Sequence, residues 1–137
     1  MSEIIKGTII QEWSGVIKGT VLRTERAISF LGDVDPASGK VQDPNNPLFK
    51  QSIEGKVLVF PEGRGSTVGS YVLYQLMVNG KAPAAIVTMH SEPVVVVGAI
   101  ISRIPYLDGL SRDEFRALRN DMWASIDADI GIMLVKM

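Results

Sequence analysis

The sequence of 137 residues predicts one α/β domain, spanning residues 1–137, with mixed sheets and about two to three helices. Short β-branched runs separated by glycine fill the first third of the chain, and a β–α–β segment follows in the middle. Apolar residues make up 46% and charged residues 21%, which is the balance of an ordinary globular domain. One hydrophobic core is sufficient for a chain of this length.

The first third contains three runs with strand character: EIIKGTII, GVIKGTVLRT and AISFLGDVDP. Each is rich in β-branched residues and is bounded by residues that favour turns. The next stretch, residues 32–47, reads GDVDPASGKVQDPNNP and is dense in Gly, Pro, Asp and Asn. It is predicted to be a long surface loop with room for a short hairpin.

The middle of the chain predicts a strand, a helix and two more strands. The run KVLVF, residues 56–60, is short, apolar and ended by proline, which is typical of a buried strand. A helix follows and ends at Asn79-Gly80, a plausible left-handed cap, with apolar residues at helical spacing: Val68, Val72, Leu73, Leu76 and Met77. The runs AAIVTM (84–89) and PVVVVGAII (93–101) predict buried strands, and the β–α–β order favours parallel pairing.

The last third predicts a short helix and a hairpin. In SRDEFRALRN, Ser111 is followed three residues later by Glu114, which matches a capping box. The runs MWASID and IGIMLV alternate in polarity and are separated by the region of Asp129 and Gly131, so they predict two terminal strands joined by a turn.

Composition excludes several classes of function. The chain has no cysteine, which rules out disulfides, thiolate nucleophiles and cysteine-held zinc or iron–sulfur sites of its own. The net charge of −1 and the lack of a Lys/Arg cluster argue against nucleic acid as a partner. No apolar run approaches the roughly 18 residues of a membrane span, and the N-terminus carries no signal pattern, so no membrane partner and a cytoplasmic location are expected.

The stretch FPEGRGSTVGSYVLYQL, residues 60–76, joins a predicted strand to a predicted helix through a glycine-rich turn. Gly63 and Gly65 can adopt positive φ and let the backbone approach a ligand, and free N–H groups at a helix start bind carboxylate or phosphate. Ser66 and Thr67 present hydroxyls there, which either cap the helix or take part in chemistry. The turn matches neither the P-loop pattern nor a complete GxGxxG motif.

GRGSTVGSYVLYQL followed by NGKAPAAIV resembles the small-subunit family of the aconitase X group, whose fold is a swivelling β/β/α domain similar to the swivel domain of aconitase. Other family motifs occur in the same order, so the resemblance covers nearly the whole chain: SFLGDVDPASG, DPNNPLF, IEGKVLVFP, EPVVVVGAIISRIP and the D-x-D-x-G of residues 127–131.

The resemblance implies a hydro-lyase with a large and a small subunit, inactive as the small subunit alone. It implies an iron–sulfur cluster of the 4Fe–4S type in the large subunit and none on this chain. In archaeal members the implied reaction dehydrates 5-phosphomevalonate to an anhydromevalonate phosphate in an alternative mevalonate pathway of isoprenoid biosynthesis. Bacterial relatives resemble hydroxyproline dehydratases. The implied partners are the large catalytic subunit, in a heterodimer or larger assembly, and a phosphorylated hydroxy acid; a free-standing anion-binding module is the alternative from another class.

The resemblance assigns the role of general base to Ser66 alone. Gly63, Arg64, Gly65 and Thr67 are predicted to contact the substrate, since they surround that serine. Arg64 is interpreted as a cation that stabilises the serine alkoxide, as a clamp for carboxylate or phosphate, or as a solvated loop charge. Aconitase itself has GSSR at this turn and uses the arginine to bind a carboxylate, whereas this chain has Val68 there. Recognition of the acid must therefore use Arg64, backbone N–H groups or the large subunit.

The remaining polar and aromatic candidates are predicted to have structural roles, and no metal site is predicted. Asp33 and Asp35 are expected in an ordinary acidic turn, although the family pattern suggests that residues 29–36 line the cleft or a subunit contact. His90 is the only histidine, and a single imidazole makes neither a triad nor a metal site. The other candidates are the expected strand-end charges Glu92 and Arg103, and Trp13 and Trp123, which are assigned to packing or an interface.

Overall fold

The computed structural model describes residues 2–127 and 131–136, and this part of the chain forms an eight-stranded mixed sheet with four helices. The strands are β1 (Ser2–Lys6), β2 (Thr8–Gln11), β3 (Val16–Arg23), β4 (Val57–Phe60), β5 (Ala85–Thr88), β6 (Tyr106–Asp108), β7 (Trp123–Asp127) and β8 (Ile132–Lys136). The helices are α1 (Phe30–Asp33), α2 (Gly69–Val78), α3 (Pro93–Ser102) and α4 (Arg112–Ala117). No helix of the described residues has the length and apolar character needed to cross a bilayer.

The sheet curls until its two edge strands meet. The strand order is β1-β8-β7-β3-β4-β5-β6-β2, so β1 and β2 lie at opposite ends of the order although only Gly7 separates them in the chain. Gly7 donates its N–H to the carbonyl of Gly131 at 3.1 Å. A Cβ at Gly7 would lie 2.6 Å from Cγ of Leu107, so the close approach that closes the curl requires glycine.

Both faces of the sheet are buried at β4. Val57 and Val59 belong to one apolar cluster, which includes Phe115 of α4, and Leu58 and Phe60 belong to the other, which includes residues of α2 and α3. All four β4 side chains are fully buried. The continuous apolar pattern of this run therefore predicted its position correctly.

Strands β3, β4, β5 and β6 are parallel neighbours, and α2 and α3 connect β4 to β5 and β5 to β6. The predicted β–α–β segment is confirmed, and α2 ends at Asn79-Gly80 as predicted, with φ of +69° at Gly80. Because the strands are parallel, the segments that leave the carboxyl ends of β3, β4 and β5 gather at one edge of the sheet. This edge positions the candidate site.

The run 93–101 was predicted to be a strand, and this prediction is wrong: it forms helix α3. Its valines and isoleucines favour strands, but that preference is weak compared with tertiary context. Glu92 caps the helix and Pro93 occupies its first turn, where proline is favoured. Gly98 lets α3 approach α2 closely, since a Cβ there would overlap Cδ1 of Leu73.

The predicted strand in AISFLGDVDP is also wrong. Ile28 forms only an isolated parallel bridge with Gly63, and residues 30–33 form the short, kinked helix α1, in which Gly32 has φ of +98°. The carboxylate of Asp33 accepts the backbone N–H of Ser29 at 2.8 Å, and such local bonds compete with strand pairing. The two misassigned runs raise the number of helices among the described residues to four, above the predicted two to three.

The loop 32–47 holds the predicted hairpin, closed by an antiparallel bridge between Val34 and Val41. Both valines are 1% exposed, so this segment contributes to the core and is not purely a surface loop.

The predicted short helix and terminal hairpin are confirmed. Ser111 and Glu114 form the reciprocal capping box of α4, with bonds of 3.1 and 2.9 Å. Strands β7 and β8 pair antiparallel. The turn around Asp129 lies outside the described residues.

Replacing Glu92 with alanine is expected to lower the free energy of unfolding by about 1 kcal/mol, the usual cost of removing a helix N-cap. The carboxylate accepts the N–H groups of Val94 at 2.9 Å and Val95 at 3.3 Å, and both lose this acceptor in the variant. Urea denaturation of the purified chain measures the change. Glu12→Ala is the matched control, because the exposed Glu12 side chain makes no bond to any described residue; an equal loss in both variants would contradict the assignment.

Candidate active site

The glycine-rich turn of residues 61–68 leaves β4 at the edge where the parallel strands end, and it leads into α2. The segments that follow β3 and β5 contact it there. The carbonyl of Pro61 accepts the N–H groups of both Met89 and His90 at 3.1 Å, and Ile28 donates its N–H to the carbonyl of Glu62 at 3.2 Å. Two loops therefore converge on this turn, at the usual position of ligand sites in α/β sheets.

The two glycines before Ser66 are required for different reasons. Gly65 has φ of +92°, as predicted, and a Cβ there would overlap Oγ of Ser29. Gly63 is not among the residues with positive φ, so that part of the prediction is wrong. Gly63 is buried, and a Cβ would lie 2.5 Å from Oε2 of Glu92 and would overlap Val95. Its role is to let the loop after β5 pack against the turn.

The Ser66 side chain is exposed at the tip of the turn. Its Oγ accepts the N–H of Val68 at 3.1 Å, and its carbonyl accepts the N–H of Gly69 at 2.9 Å. The helix is assigned from Gly69 with Val68 before it, but Val68 already has helical φ and ψ, and the bond from its N–H to Oγ of Ser66 is the local bond that a capping serine makes. Within the described chain, the Ser66 hydroxyl donates to no acceptor, which leaves its proton available to a ligand.

The same turn also carries backbone donors without protein acceptors. The N–H groups of Gly65, Ser66 and Thr67 donate to no protein atom among residues 2–127 and 131–136. Unpaired N–H groups just before a helix carry partial positive charge and attract anions. The turn can therefore bind a carboxylate or phosphate and can stabilise negative charge on the Ser66 oxygen.

The side chain of Arg64, two residues before the serine, is held by two hydrogen bonds. Its Nε donates to the carbonyl of Ala27 at 3.1 Å, and its Nη2 pairs with Oδ2 of Asp33 at 3.1 Å. The Arg64 side chain is 46% exposed, so part of the guanidinium remains available at the surface. Arg64 is thus not a freely solvated loop charge.

A cleft of about 480 Å³ opens beside the turn, between α2 and α3. Its wall is mostly apolar and consists of Thr67, Ser70, Tyr71, Pro93, Val94, Val97 and Ile101. Tyr71 is 68% exposed and Val97 49%, which is unusual for large apolar residues on adjacent helices.

The other candidates take structural roles. Asp35 forms the expected acidic turn: bonds from the Ser38 hydroxyl and the Ala37 N–H hold the pKa of this carboxyl below its usual value. Asp33 does not share that turn, because its carboxylate faces Ser29 and Arg64. His90 is exposed beside the converging loops.

The residues predicted to be strand-end charges are helix caps. Glu92 caps α3 at its start, and Arg103 ends the same helix in a left-handed conformation with φ of +54°. Trp13 packs against the core as expected, whereas Trp123 is 47% exposed.

The chain does not provide the ligands that an iron–sulfur cluster needs. It contains no cysteine, and the described residues include no group of three or more His, Asp or Glu side chains that could hold a metal ion. Such a cluster does not fit this chain.

The family resemblance suggested that residues 29–36 line the cleft or a subunit contact, but no sequence pattern indicated that Asp33 pairs with Arg64 or that Ser29 packs on Gly65. These segments lie about thirty residues apart, and no local pattern encodes their approach. The start of α3 at Glu92 could have been found, because proline at the first helical position is a known start signal for a helix.

The model of the aconitase X swivel domain family matches residues 4–135 of the chain. The phosphomevalonate dehydratase small subunit of Methanococcoides burtonii is 50% identical over 119 residues, which are 87% of each chain. The protein of the same name from Methanosarcina acetivorans is 47% identical over 133 residues, or 96% of this chain and 91% of the relative. The crystal structure of Thermococcus kodakaraensis aconitase X in its holo-form superposes with a TM-score of 0.90 at 44% identity, over 98% of this chain and 99% of that chain.

Proposed function

This chain belongs to the aconitase X swivel domain family, and on that premise we propose that it is the small subunit of a phosphomevalonate dehydratase. The proposed reaction removes water from 5-phosphomevalonate and yields an anhydromevalonate phosphate. The observation that carries the proposed role in this reaction is the exposed Ser66 hydroxyl, set among unpaired backbone N–H groups at the edge of the parallel strands.

The proposed role of Ser66 is to take the proton from the carbon next to the substrate carboxylate. Elimination of water from a 3-hydroxy acid needs a base at that carbon, and the C–H electron pair becomes the new double bond as the C–O bond breaks. A serine hydroxyl is a weak base unless its anion is stabilised. The N–H of Val68 already bonds Oγ of Ser66. This bond favours the deprotonated form of the serine.

Arg64 and the open N–H groups of residues 65–67 are proposed to bind the substrate carboxylate. The carbon that loses its proton is bonded directly to that carboxylate, so the carboxylate must lie beside Ser66 when Ser66 acts. A guanidinium edge and backbone N–H groups are suitable donors for it. Arg64 would thereby supply the contact that aconitase obtains from the arginine at the position of Val68.

The departure of the hydroxyl is assigned to the large subunit. This chain has no cysteine, and residues 2–127 and 131–136 hold no metal-binding group, so we place the iron–sulfur cluster that the family resemblance implies in the partner. The exposure of Ser66 and the apolar cleft next to Thr67 support a surface that another polypeptide completes. The isolated chain should therefore be inactive.

The test combines the purified chain with the large subunit encoded in the same genome, loads the iron–sulfur cluster without oxygen and measures dehydration by mass spectrometry. Turnover of 5-phosphomevalonate that needs both subunits is expected. Turnover of a hydroxyproline in its place would overturn the substrate assignment, and full activity of the large subunit alone would overturn the role of this chain.

A further inference from the structure

We infer that Asp33 is a positioning residue, which holds the guanidinium of Arg64, two residues before Ser66, in the orientation that binds the substrate carboxylate. The inference rests on the proposed function and adds to it a residue that lies about thirty positions away from the serine turn in sequence.

The Asp33 carboxylate is buried and has a defined set of partners. The residue is 8% exposed. Its Oδ2 accepts the N–H of Ser29 at 2.8 Å and the Nη2 group of Arg64 at 3.1 Å. Among the described residues, Arg64 is the only cation that pairs with this carboxylate. A buried carboxylate is costly without a compensating charge, so the fold favours the geometry in which Arg64 stays in place.

Three further contacts join Arg64 and its turn to the segment that carries Asp33. The Arg64 backbone N–H donates to the carbonyl of Ile28 at 2.9 Å, and its Nε donates to the carbonyl of Ala27 at 3.1 Å. Gly65 packs directly on Ser29. One segment, residues 27–33, therefore fixes both the backbone before Ser66 and the side chain of Arg64.

This arrangement leaves a defined part of the guanidinium for a ligand. Nε and Nη2 are engaged, whereas Nη1 has no acceptor in the described part of the chain. An arginine held in this way loses less freedom when it binds a carboxylate than a mobile one does. Asp33 would thus contribute to substrate binding without touching the substrate.

The assembled two-subunit enzyme with Asp33→Asn tests the inference. The amide cannot provide the charge that orients Arg64, so the KM for 5-phosphomevalonate should rise about 10-fold, the size expected for one weakened charged hydrogen bond, with kcat changed by less than about 2-fold. If Asp33 acts through Arg64, Arg64→Ala should raise KM at least as much, and the double variant should be no worse than Arg64→Ala alone.

Asp43→Asn is the matched control. Asp43 pairs with Arg26 at 3.0 Å and its side chain is 11% exposed, against 3.1 Å and 12% for Asp33 with Arg64. The pKa of Asp43 is lowered first by the Asn45 N–H and then by Arg26, with a smaller effect of the Arg64 charge, so this control also reports any long-range charge effect. We expect its KM to stay at the wild-type value.

An unchanged KM in Asp33→Asn, additive losses in the double variant, or an equal rise in Asp43→Asn would overturn the inference. A wild-type complex without dehydratase activity would instead refute the proposed function. In that case the Nε–H signal of Arg64 in an ¹⁵N spectrum of the full chain provides an independent readout. It should shift and exchange faster with solvent in Asp33→Asn but not in Asp43→Asn, and an unchanged signal would reject the positioning role.

Discussion

Replacing Ser66 with alanine is expected to lower the kcat of the assembled enzyme by about 10²- to 10⁴-fold, the contribution of a positioned general base. The variant loses the oxygen that takes the proton but keeps Arg64 and the N–H groups of residues 65–67, which bind the carboxylate. KM and assembly with the large subunit should therefore change little. Steady-state kinetics measure kcat and KM, and size-exclusion chromatography measures assembly of the complex.

Ser52→Ala is the matched control for this prediction. Ser52 Oγ accepts the N–H of Glu54 at 3.2 Å, the same local bond that Ser66 Oγ makes with Val68 at 3.1 Å. Ser52 lies in the loop before β4 and not in the glycine-rich turn, so its loss should leave kcat unchanged. If Ser66→Ala retained wild-type kcat, the serine would be a turn residue only.

Replacing Gly65 with alanine is expected to reduce kcat/KM by about 10²-fold or more, because it displaces the turn that carries Ser66. Gly65 has φ of +92°, where alanine is strained, and the added Cβ would overlap Oγ of Ser29 and approach its Cβ to 2.9 Å. Relief of this contact must move either residues 63–67 or the segment that holds Arg64. Either movement displaces Ser66, the proposed base, relative to the side chain of Arg64.

Gly15→Ala separates the two causes of this loss. Gly15 has φ of +74°, and no atom lies within 4 Å of the added Cβ. Alanine at this position is therefore strained in its backbone but overlaps no neighbouring atom. Thermal unfolding should show a cost of about 1 kcal/mol for the strain in Gly15→Ala and at least as much in Gly65→Ala, while only Gly65→Ala loses activity. An equal loss of activity in both, or none in Gly65→Ala, would show that the approach to Ser29 does not position the turn.

Local signals predicted the elements whose evidence lies within a few residues. The capping box of Ser111 and Glu114, the apolar run of β4 and the Asn79-Gly80 end of α2 each have a short-range physical cause. Local signals predicted the wrong structure for α3, because its β-branched residues favour a strand. The helix forms instead because Glu92 caps its start and Gly98 lets it pack closely against α2.

The sequence by itself determined that Ser66 follows a buried strand in a glycine-rich turn and that this chain has no cysteine for a cluster. Only the tertiary structure decided that Asp33 pairs with Arg64 and that Ser29 packs on Gly65. The physical reason is the separation along the chain between the residues that interact. Caps and turns depend on bonds between neighbours in the chain, whereas the approach of residues 27–33 to residues 63–65 depends on the parallel pairing of β3 with β4, which brings the ends of both strands to one edge.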